Sequence, residues 1–185
     1  LSLLTRAIAS FGLCSLSQDA SALREPVRAS QLAGHLGLSS GYVLDVSVND
    51  PSTDMAWDFS NRTSRDSVMH IMRSERPALL LGSPECPASR QLLTPDPARG
   101  KAETCQLLAR CISHLRFLVG LYAEQRGAGR YFLHEHASGN SSWLLADVAS
   151  LLASPGVMTV TGDVHLDTGS ARTPLMWATN APCIA

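Results

Sequence analysis

The chain has 185 residues, of which 45% are hydrophobic and 5% aromatic, and its formal net charge is −1. This length allows one domain with a hydrophobic core and is short for two. The charge excludes a strongly basic nucleic-acid-binding domain without excluding nucleic acid as a partner, and the scarcity of aromatic residues disfavours a base-stacking platform.

The five cysteines are odd in number and form no C-x-x-C pair. Such spacing favours reduced thiols and an intracellular protein, nuclear or cytoplasmic. The apolar stretch at residues 1–16 is too short to cross a membrane, and no other segment predicts a transmembrane helix. Because the first residue is Leu1 rather than methionine, the sequence is also consistent with a fragment of a longer protein.

The first third of the chain predicts few regular elements. Residues 1–20 predict a short helix followed by a polar turn, and residues 28–38 predict a second brief helix. Residues 42–46 form a β-prone apolar run, and Asp45 lies near its carboxyl end. This segment is the first strand that the sequence predicts.

The next elements are a helix, a buried strand and a proline-rich loop. Thr63 and Asp66 approximate a capping pattern at the start of the helix, and Pro77 ends it. The short apolar run at 78–81 is typical of a strand buried on both faces. Residues 83–100 contain four prolines and predict a long loop.

The second half of the chain continues the alternation of helices and strands. Residues 101–125 predict the longest helix, because leucine and other apolar side chains recur there at helical spacing. A short helix is predicted after Gly139–Ser142, and strands are predicted at 131–134, 157–161 and 175–178. This alternation predicts an α/β fold with a doubly wound, mostly parallel sheet.

Cys86 follows the buried strand at 78–81 and the Gly-Ser-Pro sequence at its end. Ligands in open α/β sheets bind at the carboxyl ends of the strands. Cys86 is therefore the first candidate for a reactive residue.

Four motifs, each weak alone, occur along the chain: Trp57-Asp58-Phe59, Gly82–Cys86, Phe132–His136 with Ser142-Trp143, and Arg172–Pro174 with Thr179–Pro182. Their order is the one found in cytosine-C5 DNA methyltransferases, and they resemble most closely a divergent methyltransferase-like group found in retroelement-type polyproteins. The resemblance covers roughly residues 25–185, which predicts a domain there and an N-terminal extension at 1–24.

The resemblance implies a Rossmann-like fold of the S-adenosylmethionine methyltransferase type, incomplete at its first strand. Cys86 would be the nucleophile that adds to C6 of cytosine, and Glu135 would contact N3 of the same ring. DNA would be the partner, with the target base flipped out of the duplex.

The resemblance also implies a cofactor site for S-adenosylmethionine. Asp45 would hydrogen-bond the cofactor ribose, Asp58 would contact the adenine amine, and Pro84 would contribute to the same site.

Two departures from the family pattern lead to a second hypothesis, a catalytically inactive module derived from a retroelement. Glu85 replaces the second proline of the nucleophile loop, and a carboxylate beside a thiol disfavours the thiolate. The glycine-rich turn expected after the first strand is also missing; only Glu25–Arg28 stands near that place.

A third hypothesis is a metal-dependent hydrolase that uses the His-x-His pair. In an extended segment His134 and His136 face the same side, while Glu135 faces the other. The third metal ligand would be His165 or Cys183, and the spacing does not select between them.

Two further groups of residues have structural interpretations. Trp143 is predicted to start a helix and to lie in the core rather than stack on a base. A group of arginines is predicted to form a solvated helix face partly neutralised by Asp66 and Glu75. These arginines are Arg62, Arg65, Arg73 and Arg76.

Overall fold

The computed structural model describes residues 11–14, 42–45, 49–50, 52–84, 100–164 and 173–182. Helices and strands alternate in the described part of the chain, which makes it a mixed α/β fold. The strands are β1 (Phe11–Cys14), β2 (Val43–Asp45), β3 (Leu79–Ser83), β4 (Tyr131–Ala137), β5 (Met158–Val164) and β6 (Thr173–Thr179). The helices are α1 (Arg62–Glu75), α2 (Lys101–Gly127) and α3 (Ala146–Leu152), and a 3₁₀ turn at Ser141–Leu144 precedes α3.

The described strands form one open sheet in the order β2-β1-β3-β4-β6-β5. Strands β1 to β4 are mutually parallel, whereas β6 runs antiparallel to both β4 and β5. The carboxyl ends of β1 to β4 therefore meet at one edge, which we call the carboxyl edge. The last residues of these strands are Cys14, Asp45, Ser83 and Ala137.

The core lies between the sheet and helix α2. Tyr122 of α2 stacks on Phe132 of β4 with ring centroids 4.5 Å apart, and both side chains are fully buried. Leu118 and Leu80 are also fully buried in this cluster, and each contributes on the order of 2 kcal/mol through burial. The predicted apolar stripe of the longest helix is confirmed, and that helix extends two residues beyond the predicted end at 125.

The prediction of a helix at residues 1–20 is wrong for Phe11–Cys14. These residues form β1, which pairs in parallel with β2 on one side and with β3 on the other. Part of the predicted N-terminal extension at 1–24 thus contributes a strand to the sheet. The run Phe-Gly-Leu-Cys is only four residues long, so strand pairing rather than local periodicity defines it.

The predicted cap of α1 is also wrong. Asn61 rather than Thr63 caps the helix, and its side-chain oxygen accepts a hydrogen bond of 2.8 Å from the Thr63 backbone N–H. At the other end α1 stops at Glu75, followed by Arg76 in a left-handed conformation and then by Pro77. The predicted stop before Pro77 is confirmed.

The observed strands overlap those predicted from the sequence, at 42–46, 78–81, 131–134, 157–161 and 175–178. Strand β3 continues through Gly82 and Ser83, so Ser83 belongs to the strand rather than to the predicted loop at 83–100. Gly82 is buried directly beneath the Tyr122 ring, where there is no room for a side chain. The predicted helix at 28–38 and most of the predicted loop at 83–100 lie outside the described residues.

Candidate functional site

The candidate site lies at the carboxyl edge, where β3 and β4 end side by side. The Cα atoms of Gly82 and His134 are partners in the parallel ladder, so the next residues, Ser83 and Glu135, are also neighbours. Ser83 is exposed and Pro84 is buried. The structure therefore places two of the predicted site residues on neighbouring strands: Pro84 directly follows β3, and Glu135 lies two residues before the end of β4.

Two other predicted site residues are described incompletely or not at all. Asp45 is the last residue of β2, and its Cα is paired with that of Cys14, the last residue of β1. Cys86, together with its neighbour Glu85, lies outside the described residues. Its predicted role as a nucleophile stays a prediction.

Glu135 is half-buried and is held by a residue of β6. The indole Nε1–H of Trp177 donates a hydrogen bond of 2.8 Å to Oε2 of Glu135. The two residues are direct cross-strand partners in the antiparallel β4–β6 pair. Within the described part of the chain Oε1 of Glu135 makes no hydrogen bond, so this oxygen is free to accept one.

His134 lies on the other face of β4, beneath α2. Its side chain is 2% exposed, and its Nδ1 is 3.0 Å from the Tyr122 hydroxyl. Its Nε2 is buried and has no hydrogen-bond partner among the described residues. Burial lowers the pKa of His134 to about 3, and the nearby His136 adds to that effect.

His136 is fixed by two residues of the segment that follows β4. The Asn140 side-chain oxygen accepts from the Ser142 backbone N–H, so its amide nitrogen faces His136 Nε2 at 2.9 Å. Nε2 must therefore accept, and the proton resides on Nδ1, which donates to Ser142 Oγ over 2.8 Å. Burial lowers the pKa of His136 to about 4.

This arrangement limits what His136 can do chemically. Because Nδ1 carries the proton, the imidazole cannot act as a base toward the Ser142 hydroxyl. Because Nε2 accepts from Asn140, a metal ion would have to displace that amide to bind there.

The two histidines share one face of β4, with ring centroids 6.0 Å apart, while Glu135 bonds Trp177 on the other. This confirms the predicted alternation along the strand. No group of three or more metal-ligating side chains occurs within the described residues. The two proposed third ligands, His165 and Cys183, lie outside them.

The Trp57-Asp58-Phe59 segment places two rings in the core and one carboxylate at the surface. Trp57 and Phe59 are 1% and 2% exposed, whereas Asp58 is exposed. Oδ1 of Asp58 accepts from the backbone N–H and the hydroxyl of Ser60, at 2.9 and 2.6 Å. These bonds form a turn that leads into α1.

His114 is a buried polar residue that sequence reasoning did not single out. It lies in the middle of α2 against the Phe59 ring, with ring centroids 5.2 Å apart, and its Nε2 has no partner among the described residues. Burial lowers its pKa to about 4, although the negative charge of Asp58 opposes this shift. Position 114 fits the apolar spacing of α2, and this spacing is the one sequence feature that indicates the burial of His114.

Trp143 is buried, as predicted, and its indole N–H donates to the Ala137 carbonyl over 2.9 Å. It contacts His134 edge-on, with ring centroids 5.1 Å apart. Trp143 thus forms part of the hydrophobic core beside the end of β4.

The Thr179–Pro182 motif lies at the opposite edge of the sheet from the candidate site. Because β6 is antiparallel to β4, its carboxyl end meets the amino end of β4. Asn180 accepts from the Phe132 N–H and donates to the Arg130 carbonyl, both at 2.9 Å. The Thr179 hydroxyl donates to the Phe132 carbonyl over 2.5 Å. These hydrogen bonds attach the end of β6 to the start of β4.

Replacing Asn180 by alanine should therefore destabilise the fold. The Asn180→Ala variant leaves the Phe132 N–H and the Arg130 carbonyl without these partners, and we expect a loss of about 2–3 kcal/mol in the free energy of unfolding. Urea unfolding followed by circular dichroism measures it. Asn49→Ala is the matched control, since exposed Asn49 makes one bond to Asp54 and its loss is expected to cost below about 0.5 kcal/mol. Equal losses in the two variants would contradict the stabilising role of the Asn180 hydrogen bonds.

No protein-family model, curated protein or solved structure matches this chain. None of the described helices combines the length and the apolar character needed to cross a membrane.

The fold and the side chains at the carboxyl edge define the chain as a mixed α/β domain with a candidate site where β3 and β4 lie side by side near their carboxyl ends.

Proposed function

We propose that the chain is a cytosine-C5 DNA methyltransferase-like domain with a Rossmann-like fold, whose site combines Cys86 and Glu135. The observation that carries this proposal is the β3–β4 register. Glu135 lies beside Ser83 at the carboxyl edge, and Cys86 follows Ser83 by three residues in the sequence. The resemblance requires these two residues to act on one base.

The strand order supports a doubly wound fold. From β1 the chain adds β2 on one side and then β3 and β4 on the other. In such sheets the ligand binds outside the carboxyl ends at the point where the order reverses, here between β1 and β3. The predicted loop with Cys86 begins at that point, directly after β3.

The residues present fit S-adenosylmethionine in part. Asp45 ends β2 next to the end of β1, the position from which an acidic residue hydrogen-bonds a cofactor ribose in dinucleotide-binding folds. Asp58 is exposed, and within the described part of the chain its hydrogen bonds to Ser60 use only Oδ1, which leaves its second oxygen for an adenine amine. When bound, the cofactor supplies an electrophilic methyl group.

The chain's own residues would act on the base. The Cys86 thiolate forms a bond to C6 of cytosine, which makes C5 nucleophilic. Glu135, whose Oε2 is held by Trp177, presents Oε1 to the N3 side of the ring. Once C5 carries the methyl group, loss of the C5 proton to water and of the Cys86–C6 bond would restore the C5–C6 double bond and the Cys86 thiolate.

A second candidate function, a catalytically inactive module, is favoured by the sequence after β1. The residues that follow Cys14, Ser15–Ala20, contain no glycine, although glycines at this turn let the backbone approach a cofactor closely. Glu85 beside Cys86 also disfavours the thiolate.

Covalent trapping with a 5-fluorocytosine oligonucleotide in the presence of S-adenosylmethionine tests the proposal. Fluorine at C5 cannot leave as a proton does, so the bond between enzyme and base persists and shows as a shifted band on a denaturing gel. We expect the adduct with the unmodified protein and with Cys105→Ala, a control at an exposed free cysteine, and none with Cys86→Ala.

Calorimetry with S-adenosylmethionine separates the two candidates. Absence of binding at millimolar cofactor would refute a working methyltransferase. Cofactor binding without an adduct would favour the inactive module.

A further inference from the structure

A groove between α1 and α2 lies outside the candidate site. It has a volume of about 650 Å³ and opens to solvent beside the buried stripes of both helices. Its lining residues, none of which belongs to the candidate site, are Arg62, Arg65, Asp66, Met69, Ser113, Arg116 and Phe117.

The groove carries three guanidinium groups and one carboxylate. Arg65 is half-buried, and its only bond within the described part of the chain is a long one, 3.4 Å from Nη1 to the Ser113 hydroxyl. Arg62 lies 3.6 Å from Asp66, and both side chains are more than 70% exposed, so this pair is weak. Arg65 thus brings a positive charge that no described carboxylate neutralises.

Arg116 faces the same groove from α2. Its Nε donates to Oδ2 of Asp147 on α3 over 2.7 Å. This single bond leaves most of the five guanidinium donors of Arg116 available. Arginines from two helices therefore border one groove, while the whole chain is nearly neutral.

Two apolar side chains and one hydroxyl also line the groove. Met69 and Phe117 are half-buried, and the Phe117 ring stacks on the buried Phe59 with centroids 6.2 Å apart. The Ser113 hydroxyl adds a neutral donor. Because the groove is open to solvent, salt screens the attraction between the guanidinium groups and an anion, so binding is expected to be strongest at low ionic strength.

We propose that this groove binds a phosphate group, held by Arg65 and Arg116. Planar guanidinium forks match the oxygens of phosphate, and two of them can bind different oxygens of one group. The shared chemistry is a phosphate mono- or diester, supplied by a free nucleotide or by a nucleic-acid backbone. This site does not depend on the proposed methyltransferase activity.

Phosphorus NMR titration at low ionic strength tests the proposal, with inorganic phosphate as the first probe. We expect saturable binding that weakens roughly tenfold in Arg65→Gln and in Arg116→Gln. Arg110→Gln is the matched control, because this substitution removes the same charge at an exposed position of α2 that lies outside the groove. Absence of saturable binding, or an equal loss in the control, would overturn the proposal.

The Asp147→Asn variant provides a test that general damage to the fold cannot imitate. It removes the carboxylate that occupies Arg116, so phosphate should bind about two- to threefold more tightly. Weaker binding in this variant would contradict the role of Arg116.

Two further probes distinguish the sources of the phosphate. A short single-stranded DNA that binds at least tenfold more tightly than a nucleoside monophosphate, and loses this advantage in Arg65→Gln, identifies the nucleic-acid backbone. Equal affinities identify the free nucleotide. If neither probe competes with inorganic phosphate, the groove has no phosphate-ester ligand and the proposal fails.

Discussion

Lowering the pH from 7 to 5 is expected to reduce the free energy of unfolding by several kcal/mol. Burial lowers the pKa values of three histidines, that of His134 to about 3 and those of His114 and His136 to about 4. In the unfolded chain each titrates near 6.5. Below that pH the unfolded chain binds protons that the folded chain does not, so stability falls as the pH falls until the folded-state pKa values are reached.

The expected loss at pH 5 is about 2 kcal/mol for each histidine, or about 6 kcal/mol for the three together. This is comparable with the whole stability of a typical domain. Urea unfolding at pH 7, 6 and 5, followed by circular dichroism, measures it. A free energy of unfolding that stays constant over this interval would contradict the burial of these imidazoles in their neutral form.

The His114→Leu variant isolates one of the three contributions. The substitution places an apolar side chain of similar size against Phe59. It also removes a buried imidazole nitrogen that has no partner among the described residues. The pH-dependent loss should shrink by about 2 kcal/mol, with no loss of stability at pH 7. His70→Asn, a change at an exposed position of α1, serves as the control for replacing a histidine, and an equal effect of the two substitutions would contradict the prediction.

The parts of the fold that the sequence predicts are those with a strong local pattern. Helix α2 has apolar residues at helical spacing over most of its length, and β3 is an apolar run bounded by Pro77 and Pro84. Strand β1 has no such pattern: Phe11–Cys14 is a strand because β2 and β3 pair with it. The sequence does not single out the cap at Asn61, because Thr63, two residues later, is also a residue type that caps helices and stands three residues before Asp66.

The candidate site was predictable at the level of strand ends but not of contacts. The sequence places Glu135 between two histidines near the end of a strand, and the alternation of faces follows from that alone. Its partner Trp177 is distant in sequence and reaches it through the antiparallel register of β6. The sequence likewise does not show at which edge of the sheet the Thr179–Pro182 motif lies, because that edge depends on the direction of β6.

Replacing Gly82 by alanine should cost about 3 kcal/mol or more in the free energy of unfolding. A Cβ atom at this position of β3 would collide with the Tyr122 hydroxyl and would lie 2.9 Å from Cδ2 of Leu118. Both side chains are fully buried, so neither can move freely. Displacing the hydroxyl would also break its hydrogen bond to His134, leaving that imidazole without a hydrogen-bond partner among the described residues.

Gly120→Ala is the matched control for this prediction. Gly120 is an exposed residue of α2 with open space around it, so the same substitution should stabilise the helix by up to about 1 kcal/mol. Urea unfolding of both variants gives the comparison, and a Gly82→Ala variant as stable as the unmodified protein would contradict the packing.

A double variant identifies the atom responsible. Tyr122→Phe removes the hydroxyl that the new methyl group would meet, so Gly82→Ala should cost less in that background than alone. Equal costs in both backgrounds would point to Leu118 instead. In both cases, packing against α2 explains why the Gly-Ser-Pro sequence has glycine at position 82. This glycine is therefore not by itself evidence for catalysis. The case for Cys86 as a nucleophile must therefore come from trapping.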